Sequence, residues 1–285
     1  MGTWLERLRR TPVLGTAIRT FEKALGDGAT DSAASIAYFS FFSLFPLLIG
    51  LVAAASFALE PAEVRLRLDE FLMDSLPGSA DLVRETVEAV IRLRGPAGIF
   101  SLVTLLWSAS AVFGAASRAV NRAWGTVETS PYYASKMRYI AMCLGAALLF
   151  LLSVVVTGFV EVVVGFDLGL LDPMGLTDAI ARAGSRLVSF AFLLSMFGLL
   201  YKVMPRMETR WRDVWAGALL AGVLFEVGKA FFVKYLDNVA NFEAVYGSLS
   251  TAIVLLLWLY VSAWILILGA ELIDVRREAR AEAGW

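Results

Sequence analysis

The chain has 285 residues, 59% of them hydrophobic and 18% charged, with a formal net charge of -1 and no histidine. Average soluble domains are about 45–50% apolar and about 25% charged, so the composition describes a protein whose solvent is mostly lipid. The near-zero charge argues against a broad basic surface for nucleic acid, the missing histidines remove the commonest general base and metal ligand, and a single cysteine, Cys143, excludes an intrachain disulfide.

Residues 1–30 hold Arg7, Arg9, Arg10, Arg19 and Lys23 but no apolar core of signal-sequence length. They are expected to form a cytoplasmic segment, with a short amphipathic helix built on Trp4, Leu5, Leu8 and Leu14. Six apolar runs follow, at residues 33–59, 97–120, 139–164, 186–203, 214–236 and 249–273. About 20 helical residues cross a hydrocarbon core about 30 Å thick. Each run is near or above that length and apolar on all sides rather than along one stripe. The predicted fold class is all-α, a polytopic membrane protein whose six transmembrane helices fill residues 31–274 and end in a cytoplasmic tail, 275–285.

Basic residues collect in alternate connections. Arg118, Arg122, Lys136 and Arg138 flank the second connection, Lys202, Arg206, Arg210 and Arg212 the fourth, and Arg276, Arg277 and Arg280 follow the last run. The positive-inside rule places these segments, and both termini, in the cytoplasm. On the opposite side, residues 61–94 form a long, acidic, amphipathic segment in which Leu82, Val90 and Leu93 fall at helical spacing and Pro77-Gly78 separates two short helices. It reads either as a cap on the bundle or membrane surface, or as a lid over a solute entrance. Residues 165–184 carry Asp167, Asp172-Pro173 and Gly175, the composition of a turn-rich external loop.

Polar residues inside the spans carry the functional information, because a charge in hydrocarbon costs at least about 2.5 kcal/mol unless paired or hydrated. In the first span Ser32, Ser35, Phe39, Ser43, Pro46 and Gly50 share one face, with Tyr38 beside them. Pro46 removes a backbone donor and is expected to kink the helix, freeing carbonyls near Phe42 or Ser43. That stripe suits a cavity wall, and equally an ordinary packing surface. In the fifth span Glu226 and Lys229 are neighbours on one face, with Gly222 one turn earlier. They read as a self-neutralising pair at a helix seam or as a polar station on a water-filled path. Lys229 can also snorkel outward with Lys234.

Ser110 and Gly114 in the second span make a small-xxx-small pair suited to close packing. At its inner end Arg118, Asn121 and Arg122 share a face, while Glu271 and Asp274 close the sixth span and Asp31 opens the first. Opposite charges at one depth form either a cytoplasmic gate or an interfacial ring. Trp107, Trp124, Trp211, Trp215 and Tyr201 suit the headgroup belt, whereas Trp258, Tyr260 and Trp264 are expected to be buried.

The order of these motifs resembles the YihY/BrkB family of bacterial inner-membrane proteins. The resemblance lies in the stretch from Ala34 to Pro46, the stretch from Trp107 through Asn121 to Trp124, Tyr201-Lys202-Val203-Met204-Pro205 and Trp215-Ala216-Gly217-Ala218. It continues in Tyr246-Gly247-Ser248-Leu249, Leu257-Trp258-Leu259-Tyr260 and Gly269-Ala270-Glu271. It implies a six-helix protein of the bacterial plasma membrane. A serum-resistance virulence factor, a transporter and a ribonuclease are among the names attached to the family.

No phosphate loop, HExxH or GxSxG motif occurs, and neither clustered carboxylates with metal-ligand spacing nor histidine is available for nuclease chemistry. The chain is therefore expected to be no enzyme and to need no cofactor or metal. Its expected partners are the lipid bilayer and a small solute or ion, with no nucleic acid, and a homo-oligomer is compatible with the pattern. The expected function is secondary transport or export of a small solute. A channel or a non-transporting membrane scaffold for envelope assembly are the alternatives. Two three-helix halves would run in opposite orientations, which permits an inverted repeat.

Overall fold

The computed structural model describes residues 12–58, 96–126, 130–167, 176–207, 209–238 and 249–282. Within them the chain is helical, with no strand. The helices are α1 (Pro12–Gly26), α2 (Ala29–Ala58), α3 (Pro96–Ala123), α4 (Tyr132–Asp167), α5 (Leu176–Val203), α6 (Trp211–Asn238) and α7 (Ser250–Glu282). Helices α2 to α7 coincide with the six apolar runs. They contain 28 to 36 residues, so each is at least about 42 Å long. Among the described residues, Trp211–Tyr235 and Ala252–Glu282 are long and apolar enough to cross a membrane by length and composition.

Helix α1 is amphipathic, as expected of this segment, and one of the four residues expected to build it is described. Trp4, Leu5 and Leu8 lie outside the described residues, and Leu14 is exposed. Gly15, Thr20 and Ala24 are buried, in a helix packed against α7. Gly28, at φ 71°, ends it in the left-handed conformation that lacks a side-chain penalty in glycine, and the Gly28 carbonyl then accepts the Ser32 N–H at 3.1 Å to start α2. Gly125, at φ 61°, closes α3 in the same way.

Helix α7 lies at the centre, against α1, α2, α3 and α6, while the remaining helices pack on their neighbours in chain order. Side-chain contacts fix the directions. Arg122, late in α3, donates to Ser32 Oγ, early in α2, at 3.0 Å. Arg206, just after α5, donates to Ser135 Oγ, early in α4, at 3.1 Å. Arg280, late in α7, binds Asp213, early in α6. Consecutive helices from α2 to α7 therefore alternate in direction, and six helix ends meet at one charged end of the bundle.

The core at that end is close-packed around Val120, Tyr201, Met204, Val214, Ile267 and Ile273. Helices α6 and α7 cross with their backbones in contact, because a methyl added at Gly217 would lie 2.6 Å from the Gly269 carbonyl oxygen. A methyl at Gly269 would run into the Tyr201 hydroxyl, which donates to Leu266 O at 2.8 Å. Two aromatics assigned to the headgroup belt are thus in the core. Tyr201 is 0% exposed, and Trp124, 4% exposed, donates its indole N–H to Ala270 O at 2.9 Å. Their polar atoms find backbone carbonyls inside the bundle, so neither needs the interface. Trp107, Trp211 and Trp215 are exposed, and Trp258, Tyr260 and Trp264 are half-buried.

Helix α2 remains helical through Pro46, and Ser43 Oγ donates to Ser40 O within its own turn at 2.8 Å. The side chain of Pro46, the segment 61–94, the loop residues Asp172 to Gly175, and Tyr246-Gly247-Ser248 lie outside the described residues.

Candidate functional site

One lysine organises the charged end. Helical spacing on α1 turns Lys23 toward α7, where Glu271 and Asp274, three residues apart, share a face. Lys23 Nζ lies 3.0 Å from Glu271 Oε2 and 2.9 Å from Asp274 Oδ2, and it donates to the carbonyl oxygen of Ala123. That carbonyl ends α3, where the helix dipole favours a cation. The three hydrogens of the ammonium thus tie α1 to α7 and α3 together. Asp27 Oδ2 stands 3.3 Å away.

Burial sets the energetics of this cluster. The side chains of Glu271 and Asp274 are 1% and 4% exposed, and Lys23 is 24% exposed. Burial works against the charge of the Lys23 amine, but hydrogen bonds to Asp274 and Glu271, and their charges, outweigh it and raise the pKa above the ordinary lysine value. Arg277 Nη2 lies 2.9 Å from Asp274 Oδ1, close enough for ion pairing but outside hydrogen-bond geometry. Glu271 Oε1 has no hydrogen-bond partner. The cluster therefore retains a buried acceptor where α1, α3 and α7 are joined. Among the described residues there is no group of three His, Cys, Asp or Glu side chains able to hold a metal ion.

Asn121 makes the second polar node. Its Nδ2 donates to Ser117 O at 2.7 Å and Met204 O at 3.1 Å, and its Oδ1 accepts from Arg206 N at 3.0 Å and Thr126 Oγ1 at 2.9 Å. Met204 and Arg206 flank Pro205, whose ring ends α5 and supplies no N–H. One side-chain amide thus satisfies the backbone on both sides of that break. Its geometry is that of a clamp on the α5–α6 connection.

The model for the virulence factor BrkB family matches residues 20–284, nearly the whole chain. The chain belongs to the BrkB family. BrkB relatives include a UPF0761 membrane protein of Alkalilimnicola ehrlichii, 28% identical over 251 residues that make up 88% of this chain and 55% of that protein. Another, from Alteromonas mediterranea, is 27% identical over 86% of this chain and 82% of its own length. YfkH of Bacillus subtilis, whose name describes it as ribonuclease-like, is 28% identical over 87% of this chain and 90% of its own. The chain thus spans little more than half of the first relative and most of the other two. No solved structure matches it significantly.

Four of the BrkB motifs, distant in sequence, are gathered in space. Asn121 holds Met204, Trp124 holds Ala270, and Tyr201 meets Gly269, which in turn meets Gly217. The other residues singled out in the sequence do not join this node equally. Arg122 reaches Ser32 from an exposed position, while Asp31 and Arg118 are exposed on the rim. On α2, Phe39 packs on the core, Ser35 and Ser43 are half-buried, and Tyr38 is exposed against Phe42. Glu226 and Lys229 form their expected pair, at 2.7 Å, on the outer face of α6. Gly222, one turn earlier on the same side, is buried against α5, where a methyl would lie 2.8 Å from Leu194. Lys23 escaped the sequence reading except as one more positive charge. The only local signal for it was a lysine four residues before Asp27 at a helix end, which says nothing of α7.

Proposed function

We propose that this BrkB-family membrane protein is a secondary transporter or exporter of a small solute or ion. In this reading α2 to α7 are six transmembrane helices of the bacterial plasma membrane, and the charged end, with α1 and the end of α7, faces the cytoplasm. The distribution of lysine and arginine and the alternating helix directions support that orientation.

The Lys23–Glu271–Asp274 cluster carries the transport reading. A static bundle gains little from burying ion pairs, since apolar side chains of similar volume stabilise as well or better. A gate has a different requirement. Its contacts must hold firmly when dry and come apart into well-hydrated groups when open, which charged side chains do and a greasy seal does not. The cluster joins α1 to α3 and α7, and α1 connects to α2 through Asp27 and Gly28 alone.

A scaffold is the second reading, favoured by the close packing of Gly217 on Gly269 and the buried side chains beside it. We infer no nuclease activity in either case: the chain lacks histidine, and its net charge of -1 offers no nucleic acid a basic surface. Purified protein in liposomes, assayed for flux of a panel of small metabolites and ions, tests the proposal. Transport is expected to saturate with one class of solute and to change when Lys23→Met opens the cluster. Impermeable vesicles across the panel, with correctly folded protein, would leave the scaffold.

A further inference from the structure

Helix α1 carries an apolar stripe that the bundle leaves largely uncovered. Leu14, Ile18, Phe21 and Leu25 follow one another at spacings of four, three and four, so they share a face. Leu14, Phe21 and Leu25 are each about half exposed. Contacts with α7 fix where that face points. Phe21 stacks on Trp264 with ring centroids 6.1 Å apart, whereas Arg19 and Glu22, on the other flank of α1, line a hollow with Glu278 and Glu282. Trp264 and Glu278 are 14 residues apart on α7, about 21 Å at helical rise. Helix α1 therefore lies across α7, its apolar flank toward the middle of the span and its charged flank toward the end. Amphipathic helices lie in a membrane surface in this way.

Beneath the apolar flank is a groove. Three ridges wall it, each spaced by one helical turn: Ala17 and Phe21 on α1, Leu220 and Leu224 on α6, and Leu268 and Leu272 on α7. Its volume of about 540 Å³ falls within the roughly 300–1,000 Å³ of small-molecule sites. Arg276, one turn beyond Leu272, lines the groove at the charged end. It is exposed and has no carboxylate partner among the described residues, although Arg277 holds Asp274 and Arg280 holds Asp213. Gly217 of α6 meets Gly269 and Ile273, so the exposed Trp215, an aromatic of headgroup-belt type, stands near the level of Arg276. From Leu268 to Arg276 is eight residues, about 12 Å. The hydrocarbon of one leaflet is about 15 Å deep, half of a core about 30 Å thick.

We propose that this groove binds one anionic glycerophospholipid of the leaflet at the charged end, with an acyl chain along Leu268 and Leu272 and the phosphate on Arg276. A guanidinium presents its N–H groups in a plane that matches phosphate oxygens, and the leucine ridges offer hydrocarbon only apolar contact. The first eleven residues of the chain suit the groove less well, because Arg7, Arg9 and Arg10 outnumber Glu6 and repel Arg276. Those same arginines add to the attraction of an anionic surface. A lipid seated here touches α1, α6 and α7 together, and so supports the position from which Lys23 reaches Glu271. This inference rests on α2 to α7 spanning the membrane and is independent of whether the bundle transports a solute.

Lipid retention tests it without a transport assay. The full chain in detergent is exposed to equal amounts of phosphatidylglycerol and phosphatidylcholine, and bound lipid is counted by native mass spectrometry. Wild type is expected to keep one phosphatidylglycerol, preferred by about fivefold, the worth of one basic side chain at an anionic surface. Inorganic phosphate should not displace it, which separates a lipid from a bare anion. Arg276→Gln should abolish the preference and Arg276→Lys should keep most of it. Arg19→Gln, which removes the same charge from the other flank of α1, should change nothing. Ala17→Trp, filling the groove from an exposed position, should lower retention of both lipids while the protein stays monodisperse. Phosphatidylglycerol with a diazirine on its acyl chain should label the peptides containing Phe21, Leu224 and Leu268. Equal retention of the two lipids by wild type, an unchanged preference in Arg276→Gln, displacement by inorganic phosphate, or acyl label confined to other segments would each overturn the proposal, the last in favour of the chain's own first residues as the occupant.

Discussion

Lys23 Nζ lies 3.0 Å from Glu271 Oε2, although 248 positions separate the two residues along the chain. The contact makes α1 part of the bundle rather than a leader to it. Removing one partner from a buried ion pair leaves an uncompensated charge and costs about 3–5 kcal/mol. Lys23→Met should therefore destabilise the protein by about that amount, which thermal unfolding in detergent would measure. Lys23→Met combined with Glu271→Gln should recover part of the loss, and strict additivity of the two would contradict the pairing.

The same lysine sets a pH limit. Its folded-state pKa is raised above the ordinary value of 10.5, so the protonated form is favoured by folding. The stabilisation is fully present below about pH 10.5 and is lost as the pH climbs through the raised folded value. Unfolding followed from pH 8 upward should show wild type losing more stability in that alkaline window than Lys23→Met does. Equal slopes would remove Lys23 as the cause.

Asn121→Leu should free the α5–α6 connection. It deprives Arg206 N of its side-chain partner and leaves Met204 O with only the 3.3 Å hydrogen bond from Ser117 Oγ, and a buried polar group left unsatisfied costs about 1–3 kcal/mol. Hydrogen exchange around residues 204–210 should rise by at least tenfold while the middle of α7 remains protected. Unchanged protection there would mean that the clamp is dispensable.

Glycines in one bundle should respond differently to the same methyl group. At Gly217 an added methyl meets the Gly269 carbonyl oxygen and Ile273 at 2.6 Å, whereas at Gly198 the nearest atom is Val214 Cγ1 at 4.0 Å. Overpacking typically costs about 1–3 kcal/mol, and replacing a mid-helix glycine by alanine gains up to about 1 kcal/mol. Melting temperatures should fall for Gly217→Ala and hold or rise for Gly198→Ala. The same direction of change in both would refute the crossing geometry.

Arg280→Ala should loosen the end of α7. Its partner Asp213 sits in the first turn of α6, where a carboxylate already favours the helix dipole, and is 10% exposed. A loss of about 1.5–3 kcal/mol, as for a hydrogen bond to a charged group, should appear as earlier proteolysis after residue 275. Asp213→Asn should lose less, because an amide still accepts the hydrogen bond.

What the sequence displayed and what it concealed divide along one physical line. Apolar length fixes a helix locally, so all six runs emerged as α2 to α7, and the spacing of three between Glu226 and Lys229 sufficed to pair them. Which face of a span meets protein rather than lipid is not visible in a run that is apolar all round, so the outward aspect of that pair could not be read. Trp124 and Tyr201 look interfacial by type and position. They are buried because carbonyls of α7 meet their polar atoms, a relation between distant segments that no local window contains. Lys23 was concealed for the same reason.

The crossing of Gly217 on Gly269 has a mechanical consequence. Two rods whose backbones already touch cannot be driven closer, so any movement of α6 relative to α7 must hinge there, with the charged end as the short arm. A swing of about 10° would carry the far end of α6, about 30 Å away, sideways by about 5 Å. Small adjustments among the ion pairs would thus be read out, magnified, at the far end of α6.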